Sequence, residues 1–385
     1  MAAGGLAGGL LGESVRFVSP LGDVFLRLLR MVIVPLIFSS LVVGTTGLGD
    51  AAHVGRLGIK TFAYYIGTSA AAISTGLLAV NLIRPGIGAD LPLQEMPQGV
   101  ELGVETIGKT LLDIIPENPF AAMASGNILA VIFFALLAGL FTTQLPEASR
   151  KTIVALAQAI FNLMMRITDF VIRLAPIGVF ALMAKIVGTT GVQAFPPLLL
   201  YMFTVTVALA IHALVTLPVI LYFFGRVSPP AYAQAVAPAL ATAFSSASSS
   251  ATLPVTIDCV EQRGGISNQI SSFVLPLGAT INMDGTALYE CVAAVFIAQV
   301  YGISLGFGQQ TLVFLTALLA SIGAAGIPMA GLVMMVIVLR AVGLPIEGVG
   351  LILAVDRVLD MCRTSVNVWS DTVGAAVIAR WEDQR

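Results

Sequence analysis

The chain has 385 residues, 57% of them hydrophobic and only 10% charged, and its mean hydropathy of +0.96 lies far above that of soluble domains. A net charge of -2 and a pI near 5.7 leave no basic surface for DNA or RNA. The partner these numbers imply is the lipid bilayer. Lipid supplies no hydrogen bonds to a free backbone, so spanning segments are helices of about 20 apolar residues or closed barrels. Strand-length alternation is absent, and the expected fold class is an all-α polytopic membrane protein.

The chain opens on the apolar stub Met1 to Gly12, which lacks a basic leading region. This argues against a cleaved signal peptide and reads as the second half of a helix whose start is missing. Apolar segments then run from about 21 to 47, 57 to 83, 127 to 145, 152 to 187 and 195 to 225, each long enough to cross. Residues 85 to 118 form a connection holding Asp90, Glu95, Glu101, Glu105, Asp113 and Glu117 against Arg84 and Lys109, while Arg150 and Lys151 begin a later one. The positive-inside bias turns the acidic connection outward. Cys259, Cys291 and Cys362 share no CxxC spacing and read as packing residues.

After residue 228 small and polar residues repeatedly interrupt the apolar runs. The breaks are Phe244 to Pro254, Asn282 to Thr286 inside a run from Ile270 to Tyr301, and Ser321 to Pro328 between Leu312 to Ala320 and Leu332 to Leu344. Short helices meeting at a small-residue tip make a re-entrant hairpin, which membrane depth tolerates where protein or a water-filled cavity covers the backbone. Two such hairpins, each followed by a longer helix, suggest an internal repeat. Interrupted segments in corresponding halves point to a transporter's midplane site.

The last apolar segment carries Asp356, Asp360, Arg363, Thr364, Asn367 and Asp371, whose spacing places all six on one helical face, opposite an apolar one. Each ionisable group at bilayer depth costs at least ~2.5 kcal/mol, so such groups face an interior or a cavity. Three carboxylates cannot all pair with one arginine, and cations or a zwitterionic ligand would complete the balance. Arg363 suits bidentate capture of a carboxylate, with an internal ion pair to Asp360 or Asp356 as the alternative. In Asn282 to Thr286, Gly285 and the polar residues unwind a helix and free carbonyls, and Asp284 adds a carboxylate; this is a hard-cation site in kind, or else a kink. Tyr65, Thr68 and Ser69 add a polar patch upstream. Glu290 shares a stripe with Asn282 and Thr286; a carboxyl out of water favours its neutral form, so it reads as a proton carrier or a permanently protonated side chain. The serines from 245 to 250 lack an activating base, since neither His53 nor His212 lies in a partner motif, so a hydrolase is not expected.

These residues closely resemble the glutamate/aspartate transporter family, the dicarboxylate and amino-acid:cation symporters that include the excitatory amino acid transporters. The resemblance spans essentially the whole chain and rests on Ser248 to Pro254, Leu275 to Thr286, Ser321 to Pro328, Asp360 to Thr364 and Asn367 to Asp371. It implies eight transmembrane helices plus two re-entrant hairpins, a homotrimer, and an elevator-like movement in a plasma or bacterial inner membrane. Residues 1–56 would be scaffold helices 1 and 2, with helix 1 truncated, and 57–84 helix 3 of the transport domain. The scaffold would continue with the connection and helix 4 over 85–149 and helix 5 over 150–193. The transport domain would continue with helix 6 over 194–228, hairpin 1 and a broken helix 7 over 229–301, and hairpin 2 and helix 8 over 309–380.

By the same resemblance, Arg363 holds the substrate's side-chain carboxylate and Asp360 its amino group. Thr286, Thr364, Asn367 and Ser249 complete the pocket, with backbone from Ala247, Ile327 and Gly331. One sodium ion (Na+) uses Gly278, Asn282, Asn367 and Asp371, and another uses Thr280, Ser321, Ile322 and Ala324. A third uses Tyr65, Thr68, Ser69, Asn282 and Asp284. Proton-coupled members carry Glu where Glu290 stands, which implies H+ coupling through it; K+ counter-transport is a further option. The chain departs from the pattern at Ala247 and Met361, where archaeal and animal relatives respectively carry an arginine. The expected function is symport of aspartate or glutamate with cations. An ion channel and a carrier of C4 dicarboxylates on the same fold are the alternatives, and no enzyme activity is expected.

Overall fold

The computed structural model describes residues 17–46, 52–89, 115–125, 128–174, 176–178, 180–181, 184, 195–322 and 330–383. All regular structure among them is helical. In chain order the helices are α1 (Ser19–Thr46), α2 (Ala52–Ile83), α3 (Pro119–Ser125), α4 (Ile128–Thr142), α5 (Glu147–Arg173) and α6 (Phe195–Ile211), which continues through two π-helical turns to Gly225. Then come α7 (Pro229–Ser246), α8 (Ser249–Asp258), α9 (Asn268–Ile281), α10 (Asp284–Val300), α11 (Phe307–Ile322), α12 (Ala330–Ala341) and α13 (Val349–Asp383). Among the described residues three stretches, Leu57–Ile83, Pro196–Gly225 and Asn268–Val300, are long and apolar enough to cross a bilayer.

The expected segments fall on α1, α2, α4 and α6. The one expected over 152 to 187 is interrupted: helix α5 begins at Glu147 and ends at Arg173, Leu174 turns back onto the carbonyl of Val171, and the described residues 176–178, 180–181 and 184 are again helical. Pro176 accounts for the stop, since it lacks an N–H and its ring collides with the preceding turn. The opening stub, most of the acidic connection and residues 323–329 of the third break lie outside the described residues.

The other breaks coincide with real interruptions. Between α7 and α8, Ala247 adopts a left-handed backbone with φ of 51°, and the Ser248 hydroxyl caps α8 by accepting from the N–H of Ala251 at 3.2 Å. Between α9 and α10, Asn282 and Met283 leave the helical region at φ/ψ of −95/86° and −113/53°. In α6 the π-helical turn His212–Thr216 closes with the N–H of Leu217 on the carbonyl of His212. Pro218, next along, has no N–H for the regular ladder, and a local widening is how a helix absorbs that loss.

Helix α10 is the core: from Asp284 to Val300 every side chain except Gln299 is buried. It packs against α2, α6, α11, α12 and α13, and α13 in turn packs against α7 and α9. A second group, α1, α4 and α5, packs mutually and meets the first through α9, α11 and α12. Lys60 of α2 ties the end of α13 by its ion pair with Glu382 at 2.5 Å and a hydrogen bond to the carbonyl of Trp381 at 2.9 Å.

Candidate functional site

Two short interruptions and one long helix converge at α10. The polar stripe of α13 is buried throughout: Asp356, Asp360, Arg363, Thr364, Asn367 and Asp371 are each 5% exposed or less. The far side is apolar, as expected, yet it too is covered near the site, at Val366, Val368, Trp369 and Val373. A helix buried on all sides needs every charge answered inside the protein.

Arg363 answers two of them. Its Nε and Nη2 donate to Asp360 Oδ1 at 3.0 and 2.8 Å, and its Nη1 donates to Asp356 Oδ1 at 3.0 Å. The internal ion pair weighed from sequence is therefore the arrangement found here. Tyr289 completes it from α10, with its ring 4.2 Å from the guanidinium carbon and its hydroxyl donating to Asp356 Oδ1 at 2.7 Å. Asp356 Oδ2 is buried without a partner. The entry to α12 presses on the same guanidinium: a Cβ on Gly331 would lie 2.8 Å from the Arg363 Cζ. Arg357, half exposed, faces the second oxygen of Asp360 at 3.9 Å.

One turn along α13 lies an array without lysine or arginine bonded to it among the described residues. Asn367 accepts from the N–H of Gly285 at 2.7 Å and donates to the Thr286 hydroxyl at 3.2 Å, so the α9–α10 break is pinned to α13. Asn282 donates to Asp371 Oδ1 and to the Ser370 hydroxyl, both at 2.9 Å. Its own N–H meets the carbonyl of Gly278 at 2.9 Å. Asp284 accepts from Ser69 and from Ser370, both at 2.7 Å, and meets His212 Nε2 at 3.1 Å. Thr68 reaches Asn282 Oδ1 at 3.4 Å, and Tyr65 donates to the carbonyl of Val274 at 2.7 Å. Carboxylates, amide oxygens, hydroxyls and freed carbonyls are the donor set of a hard monovalent cation.

The structure thus brings together Tyr65, Thr68, Ser69, Gly278, Asn282, Asp284, Thr286, Asn367 and Asp371 around the break. Thr280 and Ser321 are buried or half-buried but bond their own helices, at Leu277 and Leu318, and Ile322 ends α11 beside Ser321. Thr364 donates to the carbonyl of Asp360 at 2.7 Å. Ser249 is buried just past the α7–α8 turn at Ala247. Ala324 and Ile327 lie outside the described residues. Glu290 is fully buried on α10, and both its carboxyl oxygens lack a partner.

Three participants were not expected. Ser370 sits 14 residues after Asp356, close to a whole number of turns, and the offset count would have included it. His212 is an ionisable ring in an apolar span, itself a signal. Tyr289 carried none; an aromatic in an apolar helix is ordinarily packing.

Membrane-length and broken helices enclosing a dense charged and polar site define a polytopic integral membrane protein of the transporter class. The chain belongs to the sodium:dicarboxylate symporter family, whose model matches residues 1–381. This is a family of transporters rather than enzymes. The chain is 38% identical over 377 residues to the proton/glutamate-aspartate symporter of Escherichia coli, covering 96% of this chain and 86% of that one. It is 35% identical to the proton/sodium-glutamate symport protein of Bacillus caldotenax, over 96% and 88% of the two. It is 38% identical to excitatory amino acid transporter 3 of Mus musculus, over 93% and 78%.

Proposed function

We propose that this protein is a secondary active symporter of acidic amino acids, aspartate or glutamate, driven by sodium and protons. The observation that carries the reading is the buried Arg363, held between Asp360 and Asp356 beside a cation-type donor set on Asn282, Asp284 and Asp371. Relatives whose names specify glutamate, aspartate, sodium and protons support the same chemistry.

In this reading the substrate's side-chain carboxylate takes over the guanidinium of Arg363, which releases carboxylate charge on Asp360 for the substrate ammonium. Thr286, Thr364, Asn367 and Ser249 close the pocket, with backbone from Ala247, Ile327 and Gly331. Sodium ions bind at Gly278, Asn282, Asn367 and Asp371; at Tyr65, Thr68, Ser69, Asn282 and Asp284; and at Thr280, Ser321, Ile322 and Ala324. Glu290 carries the proton. Helices α2 and α6 to α13 form the moving transport domain, α1, α4 and α5 the trimeric scaffold, and the α11–α12 hairpin closes over the load before an elevator movement.

Proteoliposomes with labelled aspartate and imposed sodium gradients test the proposal. Saturable uptake that follows the inward sodium gradient is expected; uptake absent under every gradient, or unsaturable conductance, would overturn it. Luminal potassium in the same vesicles tests counter-transport, which faster uptake would establish and an unchanged rate would exclude.

A further inference from the structure

We propose that Ser370 is a further sodium-facing hydroxyl that ties the two carboxylate cation sites together, so that they load with sodium cooperatively. The inference rests on the sodium-coupled reading and names the device that links two of its sites. The Ser370 hydroxyl has one hydrogen and donates it to Asp284 Oδ2 at 2.7 Å. The Ser370 Oγ accepts from Asn282 Nδ2 at 2.9 Å, and that amide also donates to Asp371 Oδ1 at 2.9 Å. A continuous chain therefore runs from one carboxylate to the other through one hydroxyl and one amide.

All of its members are buried, with Ser370, Asn282 and Asp284 fully excluded from solvent and Asp371 at 3%. Water cannot substitute for a lost partner without entering the site. The other groups on Asp284 are the Ser69 hydroxyl at 2.7 Å and His212 Nε2 at 3.1 Å. Neither of those bonds reaches Asp371; the Ser370 hydroxyl links Asp284 to the amide of Asn282, which itself bonds Asp371. The carbonyl of Ser370 is itself held, accepting from Tyr64 at 3.2 Å, so the hydroxyl adjusts by rotation rather than by backbone movement.

A cation arriving at Asp284 opposes the Ser370 hydrogen pointing at the same oxygen. The hydroxyl turns away and presents its oxygen to the ion. An oxygen that faces the ion is a weaker acceptor for the Asn282 amide, which then bonds Asp371 more strongly. Occupancy of one site in this way sets the geometry of the other.

The test is the sodium dependence of aspartate binding to the purified full chain, read as the slope of log Kd against log sodium concentration, with Tm measured in parallel. Ser370→Ala should lower the slope and raise the half-saturating sodium concentration about tenfold, the effect expected of one hydrogen bond to a charged group. Ser370→Thr keeps the hydroxyl and should restore the slope. A merely structural serine would lower Tm without moving the slope. Where Ser370→Ala does not fold, the comparison of Ser370→Thr with Ser370→Cys carries the test. An Ala or Cys variant with the unmutated slope, or a Thr variant that fails to restore it, would overturn the proposal. Sodium-independent binding by the unmutated protein would instead remove the symport reading beneath it.

Discussion

Arg363 and Tyr289 stack at 4.2 Å, and both bond the same oxygen of Asp356, at 3.0 and 2.7 Å. The phenol on α10 therefore braces an acid of α13 that Arg363 also bonds. Tyr289→Phe keeps the ring and removes one donor from a buried carboxylate, at a cost of about 1–3 kcal/mol. A lower Tm and weaker aspartate binding are expected in detergent. Unchanged values for both would mean that the phenol only fills space.

Replacing Arg363 by Cys or Thr should abolish uptake of acidic substrates and admit neutral amino acids. The buried carboxylate of the ligand would lose its counter-charge, at about 2–5 kcal/mol. Asp356 and Asp360 would also be left facing one another, so reduced stability is part of the expected outcome. Uptake assays with aspartate, serine and alanine measure the switch, and near-normal aspartate affinity would contradict the assignment.

Asp360→Asn separates amino acids from plain dicarboxylates. The variant should lose aspartate binding because it lacks the charge that answers an ammonium, while sodium binding near Asp284 and Asp371 persists. Succinate should compete poorly with aspartate in the unmutated protein. Equal competition would transfer the protein to the dicarboxylate carriers.

A fourth expectation came from geometry alone. A methyl group on Gly331 would lie 2.8 to 3.0 Å from three atoms of the Arg363 guanidinium, closer than real contacts allow. Gly331→Ala should displace the guanidinium and weaken aspartate binding about tenfold or more. Sodium binding measured without aspartate should change little, and wild-type aspartate affinity would show that α12 yields instead.

The positions of the breaks were legible in the sequence because small and polar residues cannot continue a lipid-facing helix; the turns at Ala247 and Asn282 fall within the expected stretches. The polar face of α13 was legible from its spacing alone. Two features were not. The turn at Leu174, two residues before Pro176, interrupts the segment, a local effect that a hydropathy window averages away. The Tyr289–Asp356 bond and the Ser370–Asp284 bond depend on how α10 is rotated against α13, which tertiary packing decides and residue spacing within one helix does not contain.

Glu290 is the last expectation. It sits on α10 in line with Asn282 and Thr286, is fully buried, and neither carboxyl oxygen has a hydrogen-bond partner. A side chain that merely stabilised its surroundings would be expected to bond a neighbour, because an unmade buried hydrogen bond costs about 1–3 kcal/mol. None is made here, which leaves the group available to exchange a proton as the pocket fills and empties. Glu290→Gln preserves shape and polarity while removing the exchangeable proton of the carboxyl. At fixed sodium, an inward proton gradient should speed aspartate uptake by the unmutated protein in proteoliposomes. The Gln variant should transport at a rate indifferent to that gradient, with its sodium dependence intact. If both proteins respond equally to the proton gradient, Glu290 has no part in coupling.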